Sequence, residues 1–172
     1  MNLNKLVQAA IFTAMAIGLG FMFMLIPNLE FISVTVFLSG MTLGKRYGGL
    51  VGATAILIYS SMNPLGSGLI YITLLMGQVL AMSFIGILGA KCQRIIQNTT
   101  GRTTIIISGG FGFLVAFIYD GITTLAYPVS AGYNWEETFA YGISGLAFTL
   151  FHLISNTVIF SIVVPGYLKR RL

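Results

Sequence analysis

The sequence predicts an all-α membrane protein: a six-helix transmembrane bundle with both termini cytoplasmic, forming one domain over residues 1–172. Three observations predict it. Of 172 residues, 56% are hydrophobic and only 8% charged, with a mean hydropathy of +0.92; a soluble domain of this length carries far more charge on its surface. Six apolar stretches recur along the chain. All nine basic residues fall on alternate connections between those stretches.

The spans follow from length. A hydrocarbon layer of about 30 Å needs about 20 apolar residues at about 1.5 Å each. The candidates are residues 5–26, 31–44, 47–62, 68–90, 103–127 and 138–167. The second and third are short and span with help from their flanks or a thinned bilayer. The first is too long for a signal-peptide core and lacks an Ala-x-Ala site, which predicts a retained helix. Pro27-Asn28-Leu29-Glu30 breaks the chain after the first span, and Asn63-Pro64 with Gly66-Ser67-Gly68 forms the loop after the third. Tyr127-Pro128 ends the fifth span, Trp135-Glu136-Glu137 caps the sixth, and Pro165-Gly166 terminates or bends the sixth.

Charge orients the bundle. Lys5 precedes the first span, Lys45 and Arg46 lie between the second and third, and Lys91, Arg94 and Arg102 between the fourth and fifth. Lys169, Arg170 and Arg171 follow the sixth, as an interfacial anchor. The other connections hold Glu30, Glu136 and Glu137 and no Lys or Arg. The excess of cations on one side makes both termini cytoplasmic. The net charge of +5 is explained by these membrane-flanking positions rather than by nucleic acid. No Gly-Lys pair precedes Ser or Thr and no polar stretch houses a nucleotide-binding domain, so ATP-driven work belongs to another chain. The lone Cys92 excludes an internal disulfide and a cysteine metal cluster, and no metal or covalent cofactor is expected.

Asp120 is the acid that lies inside an apolar span, and an intramembrane carboxylate marks a functional site by default. Asp120, Thr123, Thr124 and Tyr127 share one helical face. Thr149, His152 and Asn156 form a second polar stripe, with Thr149 near the depth of Asp120. Three roles stand for Asp120: an internal bond that fixes packing, a contact to a ligand at the base of an outward-facing cavity, or a step in a proton relay with His152. Tyr59, Tyr71 and Tyr127 form an aromatic belt or the walls of a stacking pocket, and Trp135 an interface anchor or a lid. Asn28, Glu30 and Asn63 lie on the connections closest to these groups. Ala10, Ala14 and Gly18 form a small-residue face at four-residue spacing, suited to packing within the bundle or to docking a partner subunit.

The order of these features resembles the substrate-binding S components of energy-coupling factor transporters. The residues that carry the resemblance are Ala10-Ile11-Phe12-Thr13-Ala14, Pro27-Asn28-Leu29-Glu30-Phe31, Phe37-Leu38-Ser39-Gly40, Gly44-Lys45-Arg46-Tyr47-Gly48 and Asp120-x-x-Thr123. The resemblance covers the whole chain; signatures of the riboflavin, thiamine and biotin members are absent. It implies a non-enzymatic subunit in a prokaryotic cell (inner) membrane that binds a vitamin or cofactor precursor. It implies a cavity closed by residues 27–30, 62–68 and 128–137, with a transmembrane coupling subunit and two cytoplasmic ATPases as partners. Substrate contacts then fall on Asn28, Glu30, Tyr59, Asn63, Tyr71, Asp120, Thr123, Tyr127, Trp135 and His152, and coupling contacts on Ala10, Ala14 and Gly18. A small ion-coupled secondary transporter and a multi-pass membrane enzyme are the alternatives.

Overall fold

A computed structural model describes residues 3–65 and 69–169. Seven α-helices account for its architecture: α1 (Leu3–Phe23), α2 (Ile32–Leu43), α3 (Lys45–Met62), α4 (Ile72–Gln97), α5 (Gly101–Ala131), α6 (Trp135–Ser144) and α7 (Leu146–Lys169). The described residues contain no strand. Four helices, α1, α4, α5 and α7, are long and apolar enough to cross a membrane.

The expected six helices are therefore corrected to seven among the described residues. The stretch expected as one helix over 138–167 divides at Gly145. Residue boundaries also move. Lys91 and Arg94 belong to the last turns of α4 rather than to a connection. Pro128 lies inside α5, which runs on to a left-handed cap at Gly132 (φ 72°). So close to the helix end, the missing N–H of proline frees only the carbonyl of Thr124. Pro165 likewise stays inside α7. Gly66, Ser67 and Gly68 of the expected outer loop, and Arg170 and Arg171 of the basic end, lie outside the described residues.

The bundle is built around α2. Every residue of this helix except Thr42 is buried, because α1, α3, α4 and α7 surround it. Twelve residues reach only about 18 Å at about 1.5 Å each, less than a hydrocarbon layer. Enclosure by longer helices removes the difficulty, since the ends of α2 face protein.

Glycine makes that enclosure tight. A side chain on Gly40 would collide with the backbone oxygen of Gly86, one on Gly86 with that of Gly48, and one on Gly89 with that of Phe37. These three helices meet backbone to backbone, as small residues allow where no hydrophobic drive separates helix from lipid. Around them Phe37 meets Phe160 edge-on at 5.3 Å and Phe111 at 5.8 Å.

Helix directions follow from the pairings. Asp120 meets His152 while Gly112 meets Asn156 and Phe160, so α5 and α7 run antiparallel. Thr42 shares a 2.7 Å hydrogen bond with Tyr167, and Lys45, Lys91 and Arg94 line one cleft. The α2–α3 turn, the end of α4 and the end of α7 thus gather at one end of the bundle.

Candidate functional site

The opposite end of the bundle holds the acids of the sequence. The connection between α1 and α2 turns sharply at Asn28, whose φ of 59° is left-handed, a conformation Asn tolerates better than most residues. The carbonyl of Asn28 accepts a hydrogen bond from the Ser155 hydroxyl of α7. This tie brings Glu30 to the first turn of α2. There its Oε2 accepts from the Ser33 amide at 2.9 Å, covering one of the donors that a helix start leaves unpaired.

His152 stands between two carboxylates. Its Nδ1 is 2.7 Å from Oδ1 of Asp120, and its Nε2 is 3.7 Å from Oε1 of Glu30. The side chain of His152 is buried, with the Tyr119 ring edge-on to it at 6.1 Å. Burial pushes the Glu30 carboxyl up, but the His152 ring and the Ser33 donors outweigh it and hold Glu30 below the usual carboxylate range. Oδ2 of Asp120 is buried without a hydrogen-bond donor among the described residues, and so is Oε1 of Glu30, whose 3.7 Å to His152 is too long for a hydrogen bond. Buried polar atoms are usually paired, so these two call for a reason.

Two cavities adjoin the cluster. The smaller, about 320 Å³, is lined by Asn28, Asp120, Thr124, Tyr141, Thr149 and His152, with Gly145 and Phe148. The larger, about 470 Å³, has mostly apolar walls: Phe117, Leu125, Trp135, Phe139, Ile143 and Leu146. Both are bounded by Asp120, Thr124 and Thr149, which form the partition between them. The helix α6 makes one wall. Its start is fixed by reciprocal bonds: the Asn134 side chain accepts from the Glu137 amide at 2.9 Å, and the Glu137 carboxylate accepts from the Asn134 amide at 2.8 Å. Trp135, Phe139 and Ile143 recur every four residues on α6 and so share the face that lines the larger cavity. No residue of α6 is buried.

The structure brings some expected site residues together and separates others. Asn28, Asp120 and His152 line the smaller cavity, with Glu30 behind His152. Trp135 lines the larger one while remaining 78% exposed. Tyr127 stacks on Tyr141 at 4.9 Å and meets Tyr71 at 5.0 Å; of the three only Tyr141 is in the wall of the smaller cavity. Three others lie outside both cavity walls. Thr123 donates to the Tyr119 carbonyl at 2.9 Å and lines neither cavity, and Thr124 lines both instead. Tyr59 packs on Phe21 of α1 at 5.1 Å, outside both cavity walls. Asn63 uses Oδ1 to accept from the Leu65 amide in an exposed turn.

His152, the relay partner considered for Asp120, does meet it, because α7 turns His152 towards α5, and the first connection carries Glu30 across to the other ring nitrogen. Thr149, which the polar stripe of the last span places near Asp120, lines both cavities; Tyr141, which belongs to no such stripe, lines the smaller one.

At the other flank, Ala10, Ala14 and Gly18 are exposed, whereas Ala9, Ala16 and Gly20 turn into the bundle. A side chain placed on Gly18 would meet nothing within 4 Å. Of the two readings of this small-residue face, packing within the bundle is removed.

Comparison with protein-family models, with curated proteins and with solved structures finds no match to any of them.

Proposed function

We propose that this chain is the membrane-embedded substrate-binding subunit of an energy-coupling-factor-type importer, taking up a vitamin or related micronutrient. The observation that carries the reading is a polar cluster of Glu30, His152 and Asp120 beside two adjoining cavities, at one end of an otherwise apolar bundle. In this reading the basic end, with both termini, faces the cytoplasm of a prokaryotic cell, and the cavities face outward. The chain supplies binding, while separate ATPases supply energy through a transmembrane coupling subunit. The exposed Ala10, Ala14 and Gly18 stripe supports a docked helix there, since it permits close backbone approach without filling any place in the bundle.

Coexpression with a coupling subunit and two ATPases tests the reading. Affinity capture of the four-component complex is the expected result, and a chain that stays solitary counts against it. Ala14→Trp and Ala10→Arg are expected to abolish ATP-dependent uptake and leave ligand binding intact. Loss of binding in these variants counts against a coupling role for the stripe.

A second reading rests on His152. An imidazole bridging two carboxylates is the arrangement a proton-coupled secondary carrier uses. Flux into vesicles that persists without ATP and collapses with the proton gradient supports this carrier; flux that requires ATP removes it.

A further inference from the structure

The two cavities differ in chemistry, and that difference describes what they hold. The larger is walled by aromatic and aliphatic side chains, with Asp120 and the hydroxyls of Thr124, Thr138 and Thr149 at its margin. The smaller is walled by Asn28, Asp120, Tyr141 and His152. Asp120 is the one carboxylate common to both. Neither wall contains a Lys or Arg.

Formal charge gives the sign of the site. Glu30 and Asp120 face a single imidazole, so even a protonated His152 leaves one negative charge in excess. Oδ2 of Asp120 has no donor among the described residues. A buried carboxylate oxygen without a donor is costly, and a charged N–H group is the strongest partner for it. An anionic ligand meets repulsion and no compensating cation. In the wall of the smaller cavity, Tyr141 stacks on Tyr127, with Tyr133 edge-on at 6.1 Å to Tyr127. An aromatic ring in that wall adds to the attraction for a cation.

We infer that the ligand is an amphipathic organic cation, with an apolar or aromatic body in the larger cavity and a protonated nitrogen held by Asp120 at the partition. The inference rests on reading these cavities as the ligand site, and it names the class of molecule they take. The body and the charged head have separate places, so affinity requires both in one molecule. Thr124 and Thr149 accept further N–H groups or donate to a ring heteroatom beside the head.

A matched series of small molecules tests this in detergent-solubilised full-length protein. Phenylbutylamine, phenylbutanol and phenylbutyrate share one body and differ in the head; methylamine carries the head alone. Titration calorimetry is expected to show phenylbutylamine binding about tenfold tighter than phenylbutanol, with phenylbutyrate and methylamine weaker than either. Asp120→Asn is expected to reduce the amine to the level of the alcohol. Gly121 lines the larger cavity, and a Cβ added there meets nothing within 4 Å, so Gly121→Phe starts its ring in open space; thermal unfolding of the variant checks that the fold is kept. Gly121→Phe is expected to weaken phenylbutylamine about tenfold as well. Phenylbutyrate binding as tightly as the amine overturns the inference. So does binding that neither variant changes, or the absence of binding by any member of the series. Assembly with the ATPase complex is measured separately. A complex that assembles around a protein preferring phenylbutyrate leaves the importer standing and removes the cation. A protein that prefers the amine but never assembles does the reverse.

Discussion

His152 joins three parts of the chain that are far apart in sequence. It contacts Asp120 on α5 and Glu30 on the first connection, and its own helix holds the Asn28 carbonyl through Ser155. Removing one member of such a cluster leaves the others buried and uncompensated, which costs more than the net worth of the contact. His152→Ala is therefore expected to destabilise the protein by about 3 kcal/mol in denaturant titrations in micelles. A loss within a few tenths would mean that water or ions already compensate both acids. Asp120 was legible in the sequence, since a lone acid in an apolar stretch stands out without any structure. Its partnership was not. His152 lies 32 residues away and Glu30 still further, and no local period links positions brought together only by helix packing.

At the scale of the element, the short helix α2 decides the architecture. The sequence reading treats it as a weak span because it counts apolar residues against a lipid thickness. The structure makes it the centre of the bundle, where its length has no lipid to match. The glycines of α2, α3 and α4 carry that arrangement. Gly86→Ala is expected to cost about 1–3 kcal/mol, because the added methyl collides with backbone of α3 that has no rotamer to relax into. Gly110→Ala, which meets nothing within 4 Å, is expected to be neutral or mildly stabilising in the same titration. Equal effects at the two positions would show that helix propensity, not helix approach, sets the response. The small-residue stripe noticed in the sequence was on α1, where spacing is regular. Gly48 and Gly52 of α3 do stand four residues apart, but Gly40, Gly86 and Gly89 lie on other helices, and only packing shows which backbone each of these glycines meets.

Across the whole molecule, order is uneven. The centre of the bundle is the buried helix α2, whereas α6 has no buried residue and meets α7 after a single-residue break at Gly145. Backbone amides of 135–144 are expected to exchange hydrogen faster than those of 32–43, because α6 opens without disturbing a core. Mass-spectrometric exchange in micelles measures this; equal protection would make α6 a fixed wall of the larger cavity. The helical class and four long apolar helices were legible from composition and length. The division of the last span was not, since Gly142 and Gly145 are ordinary in membrane helices and only the course of the chain separates a bend from a break.

The 32 residues between Asp120 and His152 also set an order of events during synthesis. The chain grows from its N-terminus, so Glu30 and Asp120 are both made before the one base that joins them. The helix α5 must reach the bilayer carrying a carboxylate whose partner is still being translated. A nascent chain halted before residue 152 would hold every acid of the site and none of its means of neutralisation. Arrival of α7 thus supplies the imidazole that both Asp120 and Glu30 face.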